Sequence, residues 1–254
     1  MINLIIFSRD RAFQLEGLLS SIQVNCNIFD KINVITRATT NDFRDGYNLL
    51  SEQYQEVNFI PETDFKQDVI RAMGGEYTWF MVDDLIAYRK IKELPIFNKN
   101  GLCFSLRIGY NHVNNVLGFS SDYSESQWYY DWTEEKKYPS YPFSMDGHIF
   151  RTDYILPMVK DREYTNPNKL EIAFNRYKDT APKYMSCFNE SVVVSIPINR
   201  VIDTASASYG EKYPHRAKEL NERFLNGERM AWELMDFINI KLPHQEVDFK
   251  FKQI

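Results

Sequence analysis

Asp83 and Asp84 stand side by side at the end of an apolar run, residues 78–82. Two carboxylates at the mouth of a buried strand repel each other and lose solvation, so a cation should neutralise them. A divalent metal that also bridges a diphosphate does this, because hard cations prefer oxygen ligands. The plainer account is a strand-ending Asp that caps the next turn. A second group, Ser8-Arg9-Asp10-Arg11, follows the first apolar run and precedes a helical pattern. The backbone N–H groups and dipole of a helix start attract phosphate, and arginine adds paired donors. The plainer account here is a capping turn, with Ser8 or Asp10 as the cap and the arginines in solvent.

Other side chains have suitable chemistry but weaker context. Trp128-Tyr129-Tyr130-Asp131-Trp132 offers aromatic faces that stack on sugars, with a carboxylate to accept hydroxyl hydrogen bonds; a packed loop explains it equally. His148 and His215 could each give an imidazole to a metal or a diphosphate, although a lone histidine is more often a satisfied or solvated residue. His215 belongs to a stretch, residues 209–216, that reads as a loop able to close over a ligand and exclude water. Arg107, Arg151 and Arg200 end strand-like runs and suit phosphate, sugar hydroxyls or ordinary ion pairs.

The elements that must position these residues alternate. Apolar strand runs at 4–7, 32–35, 57–60 and 77–82 are separated by helical periods at 12–24, 43–54 and 65–73, the last with Asp64 as N-cap. Strands alternating with helices predict an α/β fold with a mostly parallel sheet covered on both faces. The turns after strands one, three and four then share one sheet edge, where open α/β sheets take ligands. Beyond residue 100 the spacing predicts strands at 102–108, 144–150 and 192–196, helices at 153–159 and 168–178, and one long helix over most of 217–240. Residues 118–142 read as a polar and aromatic stretch. One domain over 1–254 is the simplest organisation, with 1–100 as a nucleotide-binding half and 101–254 as the acceptor half and C-terminal helix. The apolar face of that helix suits packing on the core or a homodimer contact.

Composition limits the alternatives. A chain of 254 residues, 44% hydrophobic, can bury a sizeable core without staples. A net charge of −5 argues against a nucleic-acid partner, which calls for a basic stripe. Cys26, Cys103 and Cys187 are far apart and show no paired spacing, so neither a disulfide framework nor a zinc site is expected. No secretory signal and no run near the ~20 apolar residues of a membrane span is read, so the expected setting is cytoplasmic, with the inner face of a membrane as a variant.

Residues 5–12, Ile-Ile-Phe-Ser-Arg-Asp-Arg-Ala, together with Phe80-Met81-Val82-Asp83-Asp84, resemble the bacterial and viral glycosyltransferases of GT-A fold, family 2-like. Residues 104–107, 144–151 and 219–227 extend the resemblance over nearly the whole chain. It implies a Rossmann-like sheet flanked by helices, with a smaller acceptor-side subregion. The implied activity is a hexosyltransferase-like transfer from a nucleoside-diphosphate sugar (UDP, GDP or TDP) to a glycan or lipid-linked glycan, for polysaccharide biosynthesis. The family often carries Asp-x-Asp as its manganese or magnesium site; here the pair is Asp83-Asp84, followed by Leu85.

Residue chemistry and the resemblance together suggest roles. Ser8, Arg9, Arg11, Glu62, Lys66, Asp83 and Arg107 would receive the nucleotide sugar, and Asp83, Asp84 and His215 the metal; the plainer account of Lys66 is an exposed helix lysine. Trp128, Asp131, Trp132 and His148 would meet the acceptor. An inverting transferase needs a carboxylate base for the acceptor hydroxyl. Glu171 is ranked first, against a capping-box role with Asn168, and Asp146 second, with a binding role or a turn as its alternatives. Two other functions stay open. One is a non-catalytic carbohydrate- or partner-binding domain; the other, disfavoured because no glycine follows strand one until Gly17, is a sugar nucleotidyltransferase.

Overall fold

The computed structural model describes residues 1–114, 116–119, 126–197, 215–238 and 240–254. Its first strand, β1 (Ile2–Arg9), is apolar at successive positions, and successive strand side chains point to opposite faces. Both faces must therefore be covered. Leu4 and Ile6 enter one core with Leu15, Leu18, Leu220 and Phe224. Ile5 and Phe7 enter a second with Phe65, Val69, Leu170 and Phe174. Truncating a fully buried residue such as Leu4 to Ala would cost about 2–5 kcal/mol.

The first half runs β1, α1 (Ala12–Asn25), β2 (Lys31–Arg37), α2 (Asn41–Gln53), β3 (Asn58–Pro61), α3 (Phe65–Ala72) and β4 (Tyr77–Val82). The second half runs β5 (Leu85–Ala87), β6 (Gly101–Gly109), β7 (Val116–Phe119), β8 (Gln127–Asp131), β9 (His148–Arg151), α4 (Thr152–Asp161), α5 (Pro167–Asn175), β10 (Tyr184–Phe188), β11 (Val193–Ser195), α6 (Ala217–Leu225), β12 (Glu228–Met230) and β13 (Phe251–Gln253). Among the described residues the main sheet has nine strands, ordered β3-β2-β1-β4-β9-β6-β10-β8-β7. The strands β3, β2, β1 and β4 pair in parallel. β9 runs antiparallel between β4 and β6, and β8 antiparallel between β10 and β7. Helices α1, α2 and α6 contact one another over one face, and α3, α4 and α5 form a connected layer over the other. The mostly parallel α/β sheet flanked by helices is as the alternating pattern implies.

Three expectations change. The long helix over 217–240 ends at Leu225, because Gly227 takes the left-handed conformation (φ +87) and turns the chain into β12, which pairs with β13. The apolar period runs on past this break because Met230 and Met235 still face the core. The strand expected at 144–150 begins only at His148, after Gly147 at φ +92. The polar and aromatic stretch at 118–142, for which the spacing predicts no element, contains β8, whose Tyr130 is fully buried. Residues 209–214 of the expected closing loop, and Arg200, lie outside the described residues.

Candidate active site

The carboxyl ends of β1, β2, β3 and β4 open into a cleft of about 930 Å³. Ser8, Arg9, Arg11, Arg37, Glu62, Asp83 and Asp84 form one wall. The opposite wall carries Arg107 from the end of β6, Tyr141, residues 144–146 and the start of α5. Ser195 and His244 close a third side.

The acidic pair is held by the turn after β1. Arg11 Nη1 donates to Asp83 Oδ1 at 3.0 Å and to Asp84 Oδ2 at 3.2 Å. The Arg9 N–H donates to Asp83 Oδ2 at 3.2 Å, and Ser195 Oγ donates to Asp84 Oδ1 at 3.4 Å. Burial lifts the Asp83 carboxyl to about 6; Arg11 opposes the shift and Asp84 adds to it. Neither Ser8 nor Asp10 caps α1. Ser8 Oγ shares a hydrogen bond with Tyr47 Oη at 2.8 Å, and that hydroxyl accepts the Arg11 N–H at 3.2 Å. Asp10, at φ +56, instead accepts from Thr39 N and Thr39 Oγ1 at 2.7 and 2.9 Å.

Arg107 organises the opposite wall. It donates to Ser144 Oγ, to Asp146 Oδ2 at 3.1 Å and to His244 Nε2 at 2.7 Å. A guanidinium can only donate, so this Nε2 carries the lone pair and the ring proton sits on Nδ1. Burial, then the Arg107 charge, lower the His244 pKa against the pull of Asp146 and Asp84, which keeps the imidazole neutral. The segment bearing His244 is placed by β11: Ser195 N–H donates to Pro243 O at 2.8 Å, and Gln245 N–H to Ser195 O at 2.9 Å.

Glu171 lies in the first turns of α5. That helix starts with Asn166 as its cap, accepting from Lys169 N at 2.9 Å, and Pro167 just inside it. The cap is therefore Asn166, and Glu171 has no capping-box role. Its Oε1 accepts the Met145 N–H at 2.7 Å, and its Oε2 accepts the Tyr141 hydroxyl at 3.3 Å. Burial first, then the charge of Asp146, push its carboxyl up to about 7, against the Met145 N–H.

Ser8, Arg9, Arg11, Glu62, Asp83, Asp84, Arg107, Asp146 and Glu171 thus share one cleft. Other candidates lie outside its lining. Lys66 pairs with Glu163 at 2.6 Å, between α3 and the segment before α5. Trp128 packs on Tyr110 and donates to Asn189. Asp131 caps a short turn through Thr133 N at 3.0 Å and pairs with Lys183 at 3.1 Å. Trp132 is buried and donates to Pro182 O at 2.8 Å. His148 is fully buried, its Nδ1 3.2 Å from Pro142 O, and burial drops its pKa to about 3. His215 stacks on Phe249 with its Nδ1 3.6 Å from Glu219.

The expected divalent metal does not fit the acid pair as it is arranged. All four carboxylate oxygens already accept hydrogen bonds from the chain, and Arg11 fills the place between them. Among the described residues no group of three His, Cys, Asp or Glu side chains is set to hold an ion.

Fold and cleft define an α/β protein with a charged cleft at the carboxyl edge of a mostly parallel sheet. No protein-family model matches the chain. The bifunctional glycosyltransferase pgtA of Dictyostelium discoideum is 25% identical over 257 residues, covering 80% of this chain and 32% of its own length. The chain thus spans about a third of that relative. The crystal structure of S. aureus TarS 1-349 is 13% identical, with 75% of this chain and 59% of that one aligned at a TM-score of 0.41. The UTP-bound UGPase from Acinetobacter baumannii is 12% identical, with 77% and 88% aligned at 0.35. At such scores the fold description rests on the sheet topology alone. No helix among the described residues is long and apolar enough to cross a membrane.

Proposed function

We propose that this chain is a glycosyltransferase of GT-A type, moving a sugar from a nucleoside-diphosphate donor to a glycan hydroxyl with inversion. The reading is carried by one observation: the Ser8-to-Arg11 turn, the Asp83-Asp84 pair and the Glu171 carboxyl meet in one cleft at the strand ends. The similarity to a glycosyltransferase over 80% of the chain supports it.

The donor diphosphate lies toward the β1–β4 wall, where Arg9 and Arg37 supply positive charge and the start of α1 supplies a favourable dipole. The acceptor hydroxyl enters beside Glu171. As its oxygen bonds to the anomeric carbon, the bond from that carbon to the diphosphate oxygen breaks and the hydroxyl proton passes to Glu171. A carboxyl that titrates near neutrality is well matched to this role. Asp146 is tied by Arg107 and serves better as a sugar-hydroxyl ligand than as the base.

Thermal-shift titration with UDP, GDP, CMP and TDP sugars tests the proposal. Stabilisation by one nucleotide class, followed by its donor turnover, with Glu171→Gln keeping the stabilisation and losing the turnover, is the expected result. No shift with any of them would sink the transferase and favour a domain that binds carbohydrate without a nucleotide.

A further inference from the structure

We propose that Arg11 is a built-in counter-cation that takes the place of a divalent metal at Asp83 and Asp84, so that the cleft binds a nucleoside diphosphate without metal. The nucleotide part of this inference rests on the transferase reading; the part concerning the acid pair does not.

Paired buried carboxylates require a positive partner, because each charge taken from water costs several kcal/mol in practice. A metal is one solution and a tethered guanidinium another. Here a single Nη1 reaches an oxygen of each residue, at 3.0 and 3.2 Å, the geometry of a bridging cation. The other two oxygens are taken by Arg9 N and Ser195 Oγ, which leaves no oxygen of the pair without a donor. A cation entering here would have to displace Arg11 and compete with its charge at under 4 Å. Like charges at that separation among largely buried side chains repel strongly.

Arg11 is also poorly placed to leave. Its side chain is only 11% exposed, and its backbone N–H is anchored by the Tyr47 hydroxyl. Five basic and five acidic side chains line the cleft, so its formal charge is balanced without a metal. A phosphate group entering this lining meets the part-exposed Arg9 and Arg37, whereas Arg107 is buried against Asp146. Arginine suits such anions because its planar fork donates to two oxygens at once.

Manganese itself is the first probe, read by its free-ion electron paramagnetic resonance signal during titration of the intact protein. Wild type is expected to leave that signal unchanged, whereas Arg11→Gln frees the acid pair and takes up one ion. Arg11→Lys, which keeps the charge, should behave as wild type and covers the case in which Arg11→Gln does not fold. The second probe is UDP and GDP binding by calorimetry, in EDTA and in millimolar manganese. Affinity for the preferred nucleotide should differ by less than about threefold between the two conditions. Stoichiometric manganese uptake by wild type that Asp84→Asn abolishes would overturn the inference, as would nucleotide binding more than about tenfold weaker in EDTA. If no nucleotide binds at all, the transferase reading fails, and the manganese titration alone still decides the role of Arg11.

Discussion

Arg107 donates to Asp146 at 3.1 Å within the wall that faces β1–β4, tying the end of β6 to the residue just before Gly147. Both side chains are largely buried, at 4% and 15% exposed. Removing one partner of such a pair leaves the other's charge uncompensated. Arg107→Ala should therefore destabilise the protein by about 2–4 kcal/mol in urea unfolding. Arg107→Lys keeps the charge but cannot reach Ser144, Asp146 and His244 together, so an intermediate loss is expected. A loss within experimental error for Arg107→Ala would show that Asp146 needs no partner.

Glu171 gives a pH-dependent prediction with two readouts. As the base it must be ionised, so transfer by wild type should rise through about pH 7, where its carboxyl titrates. Glu171→Gln should lower turnover by about 10²–10⁴-fold and flatten that rise. Stability moves the other way. The folded protein holds this proton more tightly than an unfolded Glu, which titrates near 4.5. Folding stability is therefore lost as pH rises from the unfolded value through the folded one. Glu171→Gln keeps an oxygen for the Met145 N–H and should be more stable than wild type by on the order of 1–2 kcal/mol at about pH 8, with little difference at about pH 5. Equal Tm differences at both pH values would show that the carboxyl is not raised.

What the sequence could reveal follows from how local each cause is. The strands of the first half are apolar on both faces and end in polar turns, so β1 to β4 and the common edge of Ser8, Glu62 and Asp83 are legible. His244 has no such signal. It follows Pro243 in an aperiodic segment and reaches the cleft only because that segment bonds to β11 about fifty residues earlier in the chain. Tyr141 and Ser144 are hidden for the same reason: their partners, Glu171 and Arg107, lie about thirty or more residues away. At Gly227 a single left-handed residue breaks a helical apolar period that otherwise continues, and periodicity carries no information about φ.

Gly147 sets the direction of Asp146. Its φ of +92 is a conformation that L side chains rarely adopt, and an added Cβ would meet Val193 Cγ2 at 2.7 Å. Its N–H donates to Phe80 O at 2.8 Å, and its carbonyl accepts from Leu106 N at 2.9 Å, so the chain cannot easily shift. Gly147→Ala should cost about 1–3 kcal/mol in thermal unfolding and reduce turnover by moving Asp146. A variant with wild-type Tm would show that this turn relaxes freely.

Asp10 lies between Arg9 and Arg11 and decides where both point. It takes φ +56, which asparagine and aspartate tolerate better than other non-glycine residues, and its carboxylate is fixed by two bonds to Thr39. Its own N–H donates to Arg37 O at 3.1 Å, locking the turn to the end of β2. Asp10→Asn keeps the left-handed preference and an acceptor oxygen, so Tm and nucleotide affinity should stay near wild type. Asp10→Ala loses both and should destabilise by about 1–3 kcal/mol. Because the Arg9 N–H and the Arg11 guanidinium both reach Asp83 from this turn, nucleotide affinity should also fall by about tenfold or more. Measuring both in the two variants separates a turn set by backbone conformation from one held by charge. If Asp10→Asn fell as far as Asp10→Ala, the negative charge of Asp10, and not its backbone, would be holding the arginines.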